Sequence, residues 1–151
     1  MRFIFVDRIT EIENGKMARG VKNLAMSEDY FEHHFPFFPV MPGVLMLEAM
    51  IQLSSWLISY STQFKFFGLL SKLYDAKFRR SVQPGDSLEV QVEWIERTNS
   101  GIIFQGKILR GAEIITKARF ENKLVETEQD EEKASLEKLY HFLTTRFGGI
   151  K

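Results

Sequence analysis

"PGVLMLEAMIQLSSWLISY", residues 42–60, decides the fold. Val44, Leu45, Leu47, Met50, Ile51, Leu53, Trp56, Leu57 and Ile58 point in most directions around a helix running from 44 to about 60. Pro42 suits the first turn of that helix, where its missing N–H is no loss. The exception to the apolar surface is a stripe of Glu48, Gln52, Ser55 and Ser59, which lie on one face at spacings of four, three and four. A helix apolar on nearly every side needs cover on nearly every side. A membrane would supply it, but the apolar run is shorter than the ~20 residues a span requires and carries a glutamate near its start. The expectation is therefore no membrane span, and the cover must come from the rest of the chain.

Strands supply it on both sides of the helix. Before it, "RFIFVDRITEIENGKMARGVKNL" mixes β-branched and aromatic residues with charges around the Asn-Gly turn at Asn14 and Gly15, which predicts a hairpin. After a loop around "STQFKFFG" the chain is strand-rich through Phe120. "DSLEVQVEWIE" puts Leu88, Val90, Val92 and Trp94 on one face, and the segments around Gly111 read as two further strands. The economical architecture is α+β, an antiparallel sheet wrapped around one long central helix.

The approach to the helix is unusual. "SEDYF" reads as a short helical turn with Ser27 as N-cap, and it leads into "HHFPFFPVMP". There Pro36, Pro39 and Pro42 forbid interior helix or central strand over residues 34–42. From about Leu124 an acidic run precedes Leu136, Leu139, Tyr140, Leu143 and Phe147, spaced as one face of an appended amphipathic helix. The chain thus divides into residues 1–123, the sheet-and-helix domain, and residues 124–151, a helical extension whose apolar face should be buried.

Composition narrows the chemistry. The 151 residues carry 20 Lys plus Arg against 20 Asp plus Glu, so no overall basic field points to nucleic acid. There is no cysteine, which removes disulfides, thiolate nucleophiles and cysteine metal sites, and fits a reducing compartment. Charges at Arg2, Asp7 and Arg8 break any secretory signal, so a cytoplasmic location is expected.

A histidine can give or take a proton near neutrality, and a desolvated carboxylate can act as an acid. Glu48 in an apolar helix needs a partner or a task. Backbone N–H groups around Gly43, at the helix start, could hold an oxyanion. Base, acid and oxyanion donor together suit elimination of water beside a thioester. On the residues alone a second account stays open, in which Glu48 pairs with a cation on a covering strand and His34 bonds a loop carbonyl.

"HFPFFPVMPGVLMLEAMIQ", residues 34–52, resembles the signature H-F-P-x-x-P-V-M-P-G-V-L-x-x-E-A-M-x-Q of the β-hydroxyacyl-acyl carrier protein dehydratases, including the separation of histidine and glutamate. The likeness continues in "FVDRITEIENGK" and "AKFRRSVQPGDSL". The resemblance implies the hotdog fold and dehydration of a (3R)-3-hydroxyacyl thioester on acyl carrier protein to the trans-2-enoyl thioester. His34 would be the base, Glu48 the acid, the Gly43 amide the oxyanion donor and Gln52 a supporting partner of Glu48. It further implies a homodimer with each site shared between chains, assembly of dimers into hexamers, and no metal or organic cofactor.

Departures from the family pattern stand at His33 and Phe37, where glycine is usual, with the bulky Phe38 next, and at Ser71 and Lys72, which replace an Ala-Gly pair. His33 is a rival for the base role, although the spacing to Glu48 favours His34. Phe37 and Phe38 have loop packing as their simpler role; with Pro39 and Val44 they are otherwise expected to line the acyl tunnel. Lys77, Arg79 and Arg80 form a local basic cluster that, by the resemblance, would dock the acidic carrier, a solvated strand end being the plainer account. The competing activities are a hotdog thioesterase or isomerase, and a non-catalytic acyl-carrier-binding subunit.

Overall fold

The computed structural model describes residues 3–145. The Asn-Gly turn is where the sequence places it. Gly15 has φ +63° and joins β1 (Arg8–Glu13) to β2 (Met17–Asn23), so the left-handed conformation the turn demands falls on the residue without a Cβ. A single helical turn, α1 (Tyr30–His33), leads to the proline loop and then to α2 (Gly43–Ser61). Four strands follow: β3 (Phe66–Phe78), β4 (Ser87–Arg97), β5 (Ile102–Arg110) and β6 (Glu113–Glu126). A final helix, α3 (Asp130–Thr144), closes the described chain.

The strands form one sheet in the order β1-β2-β4-β5-β6-β3, and every pairing is antiparallel. Its concave face wraps α2. Val90 and Val92 of β4, Phe104 and Ile108 of β5, and Ala118 and Phe120 of β6 meet Met50, Leu53, Leu57 and Ile58 of the helix, each at most 1% exposed. Gly106 allows the closest approach: a Cβ there would fall 2.6 Å from the Met50 sulfur. By length and composition α2 is long and apolar enough to cross a membrane, but 56% of that window is buried inside the fold. The sheet supplies the cover that a bilayer would otherwise have to provide.

Two details differ from the sequence reading. Ser27 does not cap α1: the residue before the helix is Asp29, which makes no side-chain cap bond. The nearby Glu28 instead accepts from Lys22 Nζ at 2.9 Å and from the Ala25 amide at 3.4 Å, so the turn is anchored through Glu28 to β2. Secondly, β6 runs to Glu126, with Leu124, Val125 and Glu126 opposite Gly68, Phe67 and Phe66, so the place expected to begin the extension is still paired strand. The partner of α3, which the sequence left open, is its own chain. Leu143 is buried in the core, and Tyr140 lies against Trp56, Tyr60 and Phe64 with ring centroids 5.4–6.1 Å away. Phe147, also assigned to that apolar face, lies outside the described residues.

β3 is the free edge of the sheet. Over its thirteen residues it leaves Leu69, Leu70, Leu73, Tyr74 and Phe78 between 41% and 50% exposed. A long apolar edge strand is a surface that folded proteins ordinarily cover.

Candidate active site

The proline loop fixes His34 by its own backbone. His34 Nδ1 lies 2.8 Å from the Val40 carbonyl oxygen. That oxygen can only accept, so Nδ1 carries the proton and Nε2 is left with its lone pair, the tautomer a base requires. Phe35, the next residue, has φ +60°, a conformation uncommon for a non-glycine residue, and its ring packs on the imidazole at 4.6 Å. A turn closed by the Phe38 amide on the Phe35 carbonyl, at 2.9 Å, holds the loop in that shape. His33 is placed differently: its side chain is 87% exposed and only approaches Glu32, at 3.8 Å. The geometry therefore separates two histidines that are neighbours in sequence.

On α2, Glu48 is half-buried and faces a cleft of about 510 Å³ between the helix and the start of β3, with Ile51, Phe67, Leu69 and Leu70 in its walls. Gln52, one turn on, makes three bonds. Its Nε2 donates to Glu48 Oε1 and to the Phe3 carbonyl, both at 2.9 Å, and its Oε1 accepts from the Phe5 amide at 2.8 Å. The supporting role inferred for Gln52 is thus joined to a second task, tying the N-terminal segment to the helix. Ser55, next along the polar stripe, accepts from the Gly68 amide at 2.9 Å and so pins β3 to α2.

Gly43 begins α2, among the amides that have no carbonyl one turn back. The ring of Phe78 lies so close that a Cβ on Gly43 would stand 3.0 Å from it. The side chains expected to line a tunnel are not gathered around Glu48. Phe37, Phe38 and Val44 are 101%, 55% and 67% exposed, and neither they, Pro39 nor His34 contribute to the Glu48 cleft. Within one chain His34 is thus not among the walls of the cleft that Glu48 faces.

Lys77, Arg79 and Arg80 are exposed, but Arg80 is partly committed: its Nε donates to Glu113 Oε1 at 3.1 Å. Strand register adds what the sequence reading missed. Lys77 stands opposite Lys117, and Lys117 opposite Lys107, so three lysines cross β3, β6 and β5 in one row. Opposed like charges weaken a sheet, and the three positions, at 77, 107 and 117, are linked only by pairing.

A second cluster was also invisible in the sequence. Glu121 of β6 is 1% exposed and accepts hydrogen bonds from Ser100 at 2.7 Å, Tyr74 at 3.2 Å, and Ser71 and Thr98 at 3.4 Å. The Ser100 bond above all holds its carboxyl below the usual range, with Tyr74, Lys72 and Ser71 adding to the effect against the opposing pull of burial. Ser71 and Tyr74 are the extra residues at the two places where the β3–β6 register slips. Among the described residues, no group of three His, Cys, Asp or Glu side chains could hold a metal ion.

The model of the FabA-like domain family matches residues 1–119. The chain belongs to the FabA-like family. Two relatives bear the name 3-hydroxyacyl-[acyl-carrier-protein] dehydratase FabZ. That of Variovorax paradoxus is 42% identical over 121 residues, 77% of this chain and 80% of the relative. That of Syntrophotalea carbinolica is 35% identical over 133 residues, 85% of this chain and 88% of the relative. Among solved structures, a Streptococcus mutans protein bound to acetyl CoA superimposes with a TM-score of 0.64 at 14% identity, covering 85% of this chain and 96% of that one. At that identity the likeness speaks for the fold alone, and the fold is the hotdog arrangement expected from the sequence.

Proposed function

We propose that the protein catalyses the reversible dehydration of a (3R)-3-hydroxyacyl thioester on acyl carrier protein to the trans-2-enoyl thioester. The observation that carries the reading is the pairing of His34, whose Nδ1–H is fixed on Val40 so that Nε2 is basic, with Glu48, the one acidic or basic side chain of α2, open to a cleft. Two relatives that cover most of the chain carry this activity in their names.

In the forward direction His34 Nε2 takes the proton from the α-carbon. The freed electron pair forms the Cα–Cβ double bond, with charge passing transiently to the thioester oxygen, where the Gly43 N–H donates. The β-hydroxyl leaves as water with a proton from Glu48. Transfer of the proton from His34 back to Glu48 through water resets the site. The steps are proton transfers and need no cofactor.

The reading assigns the two groups of one site to two chains. It is supported by the absence of His34 from the walls of the Glu48 cleft within one chain, and by the bare apolar edge of β3, which a second copy would cover by continuing the sheet. A homodimer is the unit, and a trimer of dimers the larger assembly. Phe37, Phe38, Pro39 and Val44, exposed or near the surface in one chain, would then meet the partner and line the substrate's path. Lys77, Arg79 and Arg80, with Lys117 beside them, form the face for an acidic carrier. The reaction belongs to the cytoplasm, and residues 1–123 carry it, with 124–151 as an added element.

The test is turnover of 3-hydroxyacyl-carrier protein by the parent, His34→Ala and Glu48→Gln. Each substitution should lower kcat by about 10²–10⁴-fold. Retention of the parental rate by either variant removes that residue from the mechanism. A parent that binds the acyl carrier but converts no chain length makes the protein a binding subunit instead.

A further inference from the structure

We infer that the acyl chain of the substrate runs from the Glu48 cleft along the polar seam of α2 and ends in a cavity closed by α3, so that the appended helix sets the longest chain the protein accepts. The inference rests on the dehydratase reading for the identity of the chain, and on the following geometry for its path.

The cleft before Glu48 adjoins another space. Gln52, Ser55 and Phe67 also line a second cavity, of about 270 Å³, whose far walls are Trp56 and Ser59 of α2 and Leu136, Leu139 and Leu143 of α3. Three shared wall residues make the two spaces neighbours along one trough. Its floor is the stripe Glu48, Gln52, Ser55 and Ser59, one continuous face of the helix.

The dimensions suit a long chain. Ser59 stands eleven residues beyond Glu48, which at ~1.5 Å of rise per residue is about 16 Å. An extended chain advances ~3.3–3.6 Å over three bonds, so this path takes up about fourteen bonds. The far end presents Leu136, Leu139 and Leu143 with Glu132 at its rim, a mostly apolar wall that hydrocarbon can cover.

The wall is firmly held. Leu143 is 4% exposed, and Tyr140 stacks on Tyr60 at 5.7 Å while also packing on Trp56 and Phe64. Yet α3 spans Asp130–Thr144, beyond residues 1–119 that the family model matches. The helix that walls the cavity thus lies outside the part of the chain that the family model matches.

The experiment measures kcat/KM of the full-length protein on carrier-bound 3-hydroxyacyl substrates of increasing length. Leu136→Trp, which fills the cavity, should lower the ratio of long-chain to short-chain kcat/KM about ten-fold or more, the effect of excluding two buried methylenes. Leu136→Ala, which enlarges it, should move the preference to longer chains. A general folding defect cannot move the profile in both directions. If both variants change all lengths alike, or neither shifts the profile, the inference is overturned. A parent inactive at every length refutes the dehydratase reading, and calorimetry with dodecanoyl-pantetheine then decides the cavity. Binding by the parent that Leu136→Trp weakens about ten-fold upholds it, and no binding, or equal binding by both proteins, overturns it.

Discussion

Replacing Gln52 by leucine cuts three bonds at one point: to Glu48, to the Phe3 carbonyl and to the Phe5 amide. The first two partners are reachable by water, so each loss should amount to about 1 kcal/mol. Phe5 is only 2% exposed, and an amide stranded there without an acceptor adds roughly 1–3 kcal/mol. Leucine is nearly the same size and returns about 1 kcal/mol through apolar contact. The net loss of stability is then about 2–4 kcal/mol, which in a chain of this length lowers Tm by about 5–15 °C. Thermal and urea unfolding measure it directly. Activity gives a second readout, because Gln52 also orients Glu48: kcat should fall about ten-fold while KM for the carrier-bound substrate stays nearly constant. Gln52→Glu separates the two tasks. It keeps an acceptor for the Phe5 amide, so less stability is lost, but it sets a carboxylate beside Glu48 and should depress kcat at least as far. A Gln52→Leu protein within about 0.5 kcal/mol of the parent would refute the claim that this side chain ties the N-terminal segment to the helix.

The Glu121 carboxyl is held below its ordinary value of 4.5, so its contribution to stability is present above that pH and is lost as the pH falls through its lower folded value. Unfolding free energy should therefore decline on acidification below pH 4.5, and Glu121→Gln should flatten that decline in urea titrations; an unchanged slope would show that the cluster is not the source. Gly101→Ala would drive a Cβ into the backbone carbonyl of Asn122, which no side-chain rotation relieves, and should remove about 3 kcal/mol or more by prising the start of β5 from the last third of β6. Hydrogen exchange at Ile102 and Asn122, paired in the parent, would locate the damage. Lys117→Glu should raise KM for the carrier-bound substrate several-fold at low salt and much less at high salt, with no change for a pantetheine substrate; equal effects on both would exclude a docking role.

The parts of this protein that were legible in its sequence are those whose cause is local. A left-handed turn asks for the glycine of an Asn-Gly pair, and Gly15 supplies it. The stretch around Gly111 likewise turns at φ +59° between β5 and β6. The central helix announces its burial because apolar residues surround it, and that alone calls for a wrapped sheet. The His34–Glu48 motif lies within one loop and one helix, so its spacing survives in the sequence even though His34 does not line the Glu48 cleft of its own chain.

What stayed hidden depends on register across long sequence separations. Ser71 and Tyr74 look like ordinary strand residues until two slips of β3 against β6 turn both toward Glu121, a carboxylate 47 and 50 positions away. The lysine row at 77, 117 and 107 requires knowing which residue faces which across two strand pairs. The fate of α3 was open for a related reason: an amphipathic face says that something covers it, but not what. The answer lies in Tyr140, which meets an aromatic surface built from Trp56 and Tyr60 at the end of α2 and Phe64 just after it. The helix that covers them closes the end of the trough leading from Glu48, so an element that reads in sequence as an appendage to the domain occupies the place where chain length can be measured.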